Sequence, residues 1–390
     1  MKRASTRLSR IPPSATLGIS ARARELKEAG IDVISFGAGE PDFATPEHVV
    51  AAAARATHDP ETHKYTASAG LRPLREAIAE DVGRYSGVEV DWSEVMVTNG
   101  AKQAVFQAFA ALIDPGDEVL LPSPHWVTYP AGIDLAGGVT VSVPTRMEDE
   151  FKVTVESLER AKTDRTRLLV FVSPSNPTGT VYSAEEARAI GEWALANDVW
   201  VLADEIYQRL TYFTDVAPSI AAVTPRLENW VLVNGVAKSY SMTGWRVGWM
   251  VGPADIIETA NNHQSHATGN VANVAQHAAL AALRGPQDTV EEMRQAFNSR
   301  RKLMYSMVSD IPGVRCVEPQ GAFYVFPDVT DALQGRWEST SELATVILEE
   351  AGVALVPGES FGTPGHLRLS YATGESEIER GVERIKALLA

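Results

Sequence analysis

The sequence has a single cysteine, Cys316, and no run of apolar residues long enough to cross a membrane. One cysteine excludes a disulfide within the chain and any metal site built from several thiolates. A transmembrane helix needs about 20 consecutive apolar residues, and the sequence has no such stretch. These features indicate a cytoplasmic protein without a membrane partner, because sparing use of cysteine fits a reducing compartment.

Positive charge is scarce as well, since 35 Lys and Arg stand against 50 Asp and Glu, which gives a formal net charge of −15. This balance argues against nucleic acid or an anionic membrane as the main partner. A local anion site is still allowed, because a few cations and backbone N–H groups dominate at short range. The N-terminus is basic, with Lys2, Arg3, Arg7 and Arg10, and we interpret it as a mobile arm; a transit peptide is the alternative.

The pattern of apolar residues predicts an α/β protein of more than one domain. The chain has 390 residues, of which 45% are hydrophobic, enough for two or three domains with substantial cores. Short apolar runs, typical of strands buried on both faces, alternate with helix-like segments, which predicts an open, mostly parallel sheet. These runs are residues 95–97, 119–121, 168–172, 199–203, 231–233 and 247–251.

The C-terminal part of the chain has a different pattern, which predicts a smaller α+β domain. A long charged helix over 287–309 precedes strand-like runs at 314–317 and 322–326. The N-terminal segment has no obvious sheet element, and we expect it to pack on this smaller domain. The predicted organisation is an arm and part of the small domain at 1–45, a large α/β domain at 46–285 and a small α+β domain at 286–390.

A glycine turn between a predicted strand and a predicted helix is the first candidate anion site. Gly100 separates Thr98 from Ala101 and Lys102, where the unpaired N–H groups and the positive end of a helix dipole would face a phosphate. Lys102 is unfavourable in the first turn of a helix unless it is solvated or serves a nearby anion. Taken alone, however, the turn is more typical of an ordinary strand–turn–helix connection.

Two other strands are followed by groups that suit a heterocyclic, anionic ligand. Asp204 ends a buried strand at the sheet edge where ligands of open α/β folds bind, and it could protonate a ring nitrogen or simply cap a helix. Lys238 follows the run 231–233, where loss of hydration would make its amine a nucleophile able to form a Schiff base. Arg246 could clamp a phosphate. The alternative is that Lys238 and Arg246 are solvated surface cations.

Asn176 and Arg368 are the remaining polar candidates. Pro174 and Pro177 hold Asn176 in a rigid turn after another apolar strand, and the alternative is that this segment is merely a turn. Arg368 lies on a strand-like segment of the C-terminal part. It could bind a carboxylate, or it could be an exposed strand arginine.

Together these segments resemble the class I aminotransferases, fold-type-I enzymes that use pyridoxal 5′-phosphate. The motifs run in order over nearly the whole chain: Gly-Ala-Gly-Glu-Pro-Asp-Phe from residue 37, the Gly100 turn, Asn-Pro-Thr-Gly from residue 176, Asp-Glu-Ile-Tyr from residue 204, Lys238 to Arg246, and Arg368. The resemblance implies a large domain with a mostly parallel sheet between helices and a smaller α+β domain. Within the family, the sequence is most similar to the bacterial aspartate aminotransferases that carry Gly-x-Lys-Gln at the phosphate turn.

The resemblance assigns the cofactor contacts to particular residues. Lys238 would bind the cofactor covalently and, once freed by the substrate, would move the substrate proton. Asp204 would keep the pyridine nitrogen protonated, while Tyr207 and Asn176 would bind the ring oxygen. Trp126 would stack on the ring. The phosphate would be held by Gly100, Ala101, Lys102, Arg246 and, from the other subunit of a homodimer with shared active sites, Tyr65.

The resemblance also implies a substrate with two carboxylates. In the subgroup, a lysine at the position of Lys102 and a threonine at the position of Thr16 serve the second carboxylate. Pro12 stands where some relatives have a basic residue, which argues against prephenate as a further substrate. The amino acid and its α-carboxylate would be held by Gly39, Trp126, Asn176 and Arg368.

We therefore predict transfer of the amino group of L-aspartate to 2-oxoglutarate by a ping-pong route through pyridoxamine phosphate. One cationic pocket could serve both half-reactions, because both substrates are short dicarboxylates. A first alternative is another fold-type-I enzyme, with a different amino acid or a lyase or carbon-bond-forming reaction; departures from the family pattern at His125, His266, Gly269 and Val271 leave it open. A second, the sensor half of a transcription regulator, is disfavoured by the acidic charge.

Overall fold

The computed structural model describes residues 5, 8–13, 15–224, 228–333 and 335–389. Of the predicted basic arm, Lys2, Arg3 and Arg7 lie outside the described residues, whereas Arg10 ends a short 3₁₀ helix, Leu8–Arg10. Within the described ranges, no helix combines the length and the apolar character that a bilayer crossing requires.

Strands and helices alternate through most of the described chain. The strands are β1 (Ile34–Ser35), β2 (Val95–Thr98), β3 (Glu118–Ser123), β4 (Val139–Pro144), β5 (Thr166–Val172), β6 (Trp200–Asp204), β7 (Trp230–Gly235), β8 (Gly248–Val251), β9 (Tyr324–Val325), β10 (Val353–Ala354), β11 (Val356–Pro357) and β12 (Leu367–Ser370). The helices are α1 (Ala15–Glu28), α2 (Glu47–Ala56), α3 (Arg72–Tyr85), α4 (Ala101–Leu112), α5 (Tyr129–Ala136), α6 (Val155–Ala161), α7 (Ala184–Ala196), α8 (Ile220–Val223), α9 (Ala254–Ala267), α10 (Asn273–Arg284), α11 (Asp288–Ser309), α12 (Thr330–Leu333), α13 (Thr340–Glu350) and α14 (Glu375–Leu389).

Seven strands form the central sheet in the order β2-β8-β7-β6-β5-β3-β4. The five strands β7, β6, β5, β3 and β4 pair in parallel in that order. Strand β8 is antiparallel to both of its neighbours, β2 and β7. Successive residues of β5 pack into different cores, Leu168 and Val170 on one face and Leu169 and Phe171 on the other. Because helices cover both faces, these strands read as continuous apolar runs. The predicted α/β sheet is confirmed.

The strand β4 was not predicted from the sequence, for a physical reason. It pairs only with β3 at the edge of the central sheet, and most of its residues are exposed or half-buried. An edge strand that is covered on fewer sides does not need a continuous apolar run. Its alternating pattern, Val-Thr-Val-Ser-Val, is typical of a half-buried strand and differs from the continuous apolar runs on which the prediction rested.

Two expectations for the small sheets were wrong. Residues 314–317 form no strand, and only Arg315 makes an isolated bridge, to Asp328. The N-terminal segment does contain a sheet element, because β1 pairs in parallel with β10. A strand of two residues shows no periodicity, so the sequence gives no signal for it. The remaining strands β11, β12 and β9 form an antiparallel sheet.

The N-terminal segment packs on the C-terminal helices, as expected. Ile34 and Phe36 are buried in one core with Ile347 of α13 and with Ile378 and Val382 of α14. The apolar residues of α14 at these positions recur at helical spacing and face the same core. The domain boundaries at residues 45 and 285 stay a prediction.

Gly381 of α14 provides a test of this packing. A Cβ at Gly381 would lie 2.3 Å from Cζ of Phe36, so Gly381→Ala should lower the free energy of unfolding by about 1–3 kcal/mol, measured by denaturant unfolding. Gly83 of α3 is the matched control, because a Cβ there would meet nothing closer than the carbonyl oxygen of Val88, at 3.9 Å. Gly83→Ala should be neutral or stabilise by up to ~1 kcal/mol. Equal effects of the two substitutions would contradict the packing.

Candidate active site

The strand register brings the candidate residues to one edge of the central sheet. Strand β6 ends at Asp204, and Gly235 at the end of β7 pairs with Gly248 at the start of β8. Gly248 also pairs with Thr98, where β2 ends. The loops that carry Asp204, Lys238, Arg246 and the Gly100 turn therefore all leave the sheet at the edge where open α/β folds bind ligands.

Lys238 lies in the loop after β7 with its amine turned into the protein. Its Nζ donates a hydrogen bond to the carbonyl oxygen of Gly39 at 2.5 Å and lies 5.9 Å from the ring centres of Tyr207 and Phe323. Burial, above all, lowers the pKa of Lys238 to about 8. A fraction of the amine is then neutral near pH 7, and the neutral amine is the nucleophile. Lys238 is therefore no solvated surface cation.

Asp204 is a buried carboxylate with two hydrogen-bond donors. Its Oδ2 accepts from the hydroxyl of Tyr129 at 2.7 Å, and its Oδ1 accepts from the backbone N–H of Ile206 at 3.1 Å. Burial raises the pKa of Asp204, against the effect of both hydrogen bonds. A turn follows β6, and the next described helix, α8, begins only at Ile220. Asp204 is therefore not a helix cap.

The Gly100 turn and Arg246 lie together in an arrangement that suits an anion. Gly100 has a φ of 82°, which favours glycine, and a Cβ there would lie 2.5 Å from Nη2 of Arg246. The guanidinium of Arg246 donates to the carbonyl oxygens of Asn99 at 3.2 Å and Thr243 at 2.8 Å. The helix α4 begins at Ala101, so its free N–H groups lie beside an exposed guanidinium.

Arg368 is buried on β12, with only 2% of its surface exposed. Its guanidinium donates to Oδ1 of Asn176 at 3.0 Å and to the carbonyl oxygen of Gly37 at 2.8 Å. It also lies over the rings of Tyr324 and Phe361, at 4.4 and 5.1 Å. No described residue accepts from its buried Nε. A buried guanidinium with spare donor capacity suits a carboxylate ligand, and Arg368 is not an exposed strand arginine.

Two tyrosines connect these groups. The hydroxyl of Tyr207 lies 2.9 Å from the hydroxyl of Tyr324, and both side chains are buried. A Cβ at Gly39 would lie 3.2 Å from the hydroxyl of Tyr324, so the backbone of Gly39 closes on the same place. The loop after β6 and strand β9 are thereby joined beside Arg368.

Lys102 and Trp126 make a second cationic position at the site. Nζ of Lys102 lies 5.0 Å from the ring centre of Trp126, whose ring meets the ring of Tyr129 edge-on at 5.4 Å. Partial burial, together with the charge of Arg246, lowers the pKa of Lys102. Through Tyr129, which also binds Asp204, this cation is linked to the buried carboxylate.

Tyr65 and Thr16 are the two remaining predicted site residues. Tyr65 follows a 3₁₀ helix, Pro60–His63, and 97% of its surface is exposed. Thr16 lies in the first turn of α1, a helix that packs on β1, β10 and β11. The roles of both residues at the site stay predictions.

Residues 31–385 match the family model described as aminotransferase class I and II. The chain belongs to this family. It is 54% identical over 396 residues to the aspartate aminotransferase of Streptomyces avermitilis, and this alignment covers 100% of this chain and 97% of that protein. It is 49% identical over 381 residues to the aspartate aminotransferase of Geobacillus stearothermophilus, over 97% of each. The solved aspartate aminotransferase from Thermus thermophilus with maleate has a TM-score of 0.94 at 41% identity, over 100% of both chains.

Class I aminotransferases use pyridoxal 5′-phosphate, and the residues at this site fit that cofactor. Because Gly100 has no Cβ, the guanidinium of Arg246 packs against the turn, beside the N–H groups at the start of α4, and this combination suits a phosphate. The buried carboxylate of Asp204 suits a protonated ring nitrogen, and the amine of Lys238 suits an aldehyde. A single ligand, the cofactor of this aminotransferase family, thus provides a partner for the guanidinium of Arg246, the carboxylate of Asp204 and the amine of Lys238.

Glu205 is a buried carboxylate to which the sequence analysis gave no role of its own. Its Oε2 accepts from the hydroxyl of Ser86 at 2.9 Å, and Gln208 donates to the same hydroxyl at 2.8 Å. Burial raises the pKa of Glu205 from 4.5 to about 7, with Ser219 and Ser86 opposing and the charge of Asp204 adding to the rise. Only the fold could reveal this, because Ser86 lies 119 residues away in the sequence.

Replacing Glu205 in this aminotransferase should change how stability depends on pH. Between pH 4.5 and 7 the folded state keeps a proton that the unfolded state loses, so stability falls as the pH rises. Glu205→Gln removes that ionisation. The free energy of unfolding of the variant, relative to wild type, should therefore increase by about 3 kcal/mol from pH 4.5 to pH 8. Denaturant unfolding of the cofactor-free proteins measures it.

The matched control for this experiment is Glu379→Gln, at an exposed position of α14. It removes the same charge without removing a buried carboxylate, so the difference between this variant and wild type should stay nearly constant with pH. A constant difference for Glu205→Gln as well would contradict the protonation of Glu205 in the folded state.

Proposed function

We propose that the protein is an aspartate aminotransferase that passes the amino group of L-aspartate to 2-oxoglutarate. The observation that carries this proposal is the presence of cationic side chains at two separate positions of the candidate site. Arg368 is buried with Asn176, and Lys102 lies over Trp126. Two cations suit a substrate with two carboxylates. The names of the Streptomyces and Geobacillus relatives and the maleate of the Thermus structure support a short dicarboxylate.

In this proposal, Lys238, Asp204 and Tyr207 carry the chemistry. Bound pyridoxal 5′-phosphate supplies an aldehyde for the amine and a ring that accepts electrons. Lys238 would hold that aldehyde and, when free, would take or give the substrate proton. Asp204 would keep a proton on the ring nitrogen. Tyr207, whose hydroxyl contacts Tyr324, would donate to the ring oxygen together with Asn176.

The cofactor phosphate is bound, in this proposal, by the backbone of Gly100, Ala101 and Lys102 and by the side chain of Arg246. The φ of Gly100 and the contact of Arg246 with Asn99 support this assignment. The substrate α-carboxylate is bound by Arg368, supported by its spare Nε donor, and by Asn176, which contacts Arg368. Gly39 and Trp126 complete the contacts to the amino acid in this proposal, while Lys102 and Thr16 serve the second carboxylate.

We also propose a homodimer in which Tyr65 reaches the partner's phosphate site. Tyr65 is exposed over 97% of its surface, whereas the protein buries most of its other aromatic rings. This exposure supports a contact of Tyr65 with a second chain.

On this proposal, Tyr65→Phe should weaken cofactor binding about 10-fold, because a hydrogen bond to the charged phosphate is lost, and should not dissociate the dimer. A cofactor titration and sedimentation measure both. A fully active monomer would contradict the shared site.

Two further proposals concern organisation and location. We propose a division into an arm at 1–45, a large unit at 46–285 and a small unit at 286–390, supported by separate cores around the central sheet and around α11 and α14. A cytoplasmic location is supported by the presence of a single cysteine, which fits a reducing compartment.

The proposed substrate is tested by half-reactions. Each amino acid is mixed with the cofactor-loaded protein, and the absorbance change of the cofactor is followed. Aspartate and glutamate should react fastest. Lys102→Ala should raise the half-saturating concentration of aspartate about 10- to 100-fold, since a charge-assisted contact is lost, and should leave that of alanine nearly unchanged.

Alanine serves here as the control substrate, because it has no second carboxylate. An equal effect of Lys102→Ala on aspartate and alanine, or a slow reaction with both dicarboxylic amino acids, would contradict the aspartate proposal. Either result would favour the alternative of a fold-type-I enzyme with another substrate. His125 would then be the first residue to examine, because it contacts both the backbone of Trp126 and that of Phe361.

A further inference from the structure

Five hydrogen bonds join two loops at the candidate site. We call residues 39–45 the N-terminal loop and residues 238–246 the lysine loop. Four of these bonds use side chains of the lysine loop, so the two loops are fixed to each other largely by that loop. The bonds run from Lys238 Nζ to Gly39 O, Thr243 Oγ1 to Glu40 Oε2, Ser241 Oγ to Phe43 O, Thr45 Oγ1 to Ser241 O and Trp245 Nε1 to Thr45 Oγ1.

Glu40 adjoins one of these contacts in the sequence and takes part in another. It directly follows Gly39, whose carbonyl oxygen accepts from Lys238, and its own carboxylate accepts from Thr243 Oγ1 at 3.0 Å. The carboxylate is therefore anchored to the same loop that carries the amine. Asp42, the other acid of the N-terminal loop, instead pairs with Arg300 of α11 at 2.7 Å.

Charged groups of both signs surround the Lys238 amine. Burial has the largest effect on the pKa of Lys238 and lowers it. The guanidiniums of Arg368 and Arg246 also lower it, whereas the carboxylates of Glu40 and Asp204 raise it, Glu40 more strongly. Tyr207 contributes the face of a ring at 5.9 Å. Of the two carboxylates, Glu40 therefore favours the ammonium form of Lys238 more.

We propose that Glu40 is a positioning residue whose carboxylate, anchored by Thr243, holds the Lys238 ammonium on the carbonyl oxygen of Gly39. The inference rests on the proposed function only in giving Lys238 its catalytic role. A long lysine side chain loses rotamer freedom when it is held in one place. The anchored carboxylate offsets part of that loss and opposes the two guanidiniums, so that the amine keeps one position beside the cofactor site.

The test measures the proton affinity of Lys238 in the cofactor-free, full-length protein. The rate at which cyanate carbamoylates Lys238 is followed against pH by peptide mass mapping, which gives the pKa of that amine. Glu40→Gln keeps an oxygen for Thr243 but removes the charge, and we expect the pKa of Lys238 to fall by about 0.5 unit, the size typical of an exposed charge pair.

Two other variants separate the charge from its anchor. Thr243→Val keeps the carboxylate but removes its hydrogen bond, and the pKa of Lys238 should fall in the same direction by less. Asp42→Asn is the matched control, because it removes an acid of the same loop that pairs with Arg300. It should leave the pKa of Lys238 unchanged, so a general loss of negative charge is distinguished from the loss of Glu40.

The outcomes separate this inference from the proposed function. An unchanged pKa in Glu40→Gln, or an equal fall in Asp42→Asn, overturns the role of Glu40. Borohydride reduction of the cofactor-loaded wild type, followed by peptide mapping, tests the proposed function on its own. A reduced adduct on Lys238 supports that function, and its absence overturns it, whatever the result with Glu40.

Discussion

The site depends on the close approach of three backbone segments at glycines. A Cβ at Gly235 would lie 2.9 Å from Cα of Gly248, and one at Gly248 would lie 2.3 Å from the backbone nitrogen of Ala101. A Cβ at Gly100 would in turn meet the guanidinium of Arg246. Without side chains at these points, the ends of β2 and β7 and the start of β8 can close together. The free N–H groups of α4 and the loop of Lys238 thereby reach the same small volume.

The same volume gathers ionisable groups at positions where burial disfavours their charged forms. Burial shifts the pKa values of Lys238, Asp204 and Arg368 in the direction that favours the neutral form of each group. Such a cluster costs stability in the absence of a ligand, and clusters of this kind are typical of functional sites. In an aminotransferase, an anionic cofactor with a basic ring nitrogen and an aldehyde complements them. The site is thus organised for a ligand at the expense of the isolated fold.

Much of the fold and part of the site could be predicted from the sequence, for physical reasons. Strands such as β5 and β6 are buried on both faces and therefore appear as apolar runs, whereas the edge strand β4 and the two-residue strand β1 do not. The residues carried by motifs, Lys238 among them, could be proposed as site residues because each motif is a short stretch of sequence. Tyr129, Tyr324 and Glu205 could not be found in this way. Their contacts arise only when distant strands are aligned in the sheet, as Tyr129 and Asp204 are.

The pairing of β1 with β10 sets an order of events during synthesis of the chain. Ile34 pairs with Val353, so 319 positions (353 − 34) separate the two partners. A contact of such high sequence separation forms late, because the long loop between the partners must first be closed. On the ribosome, the segment around Ile34 and Phe36 has to wait, with its apolar side chains uncovered, until α13 and α14 have emerged. A nascent chain stopped short of α14 would present that surface to chaperones and proteases.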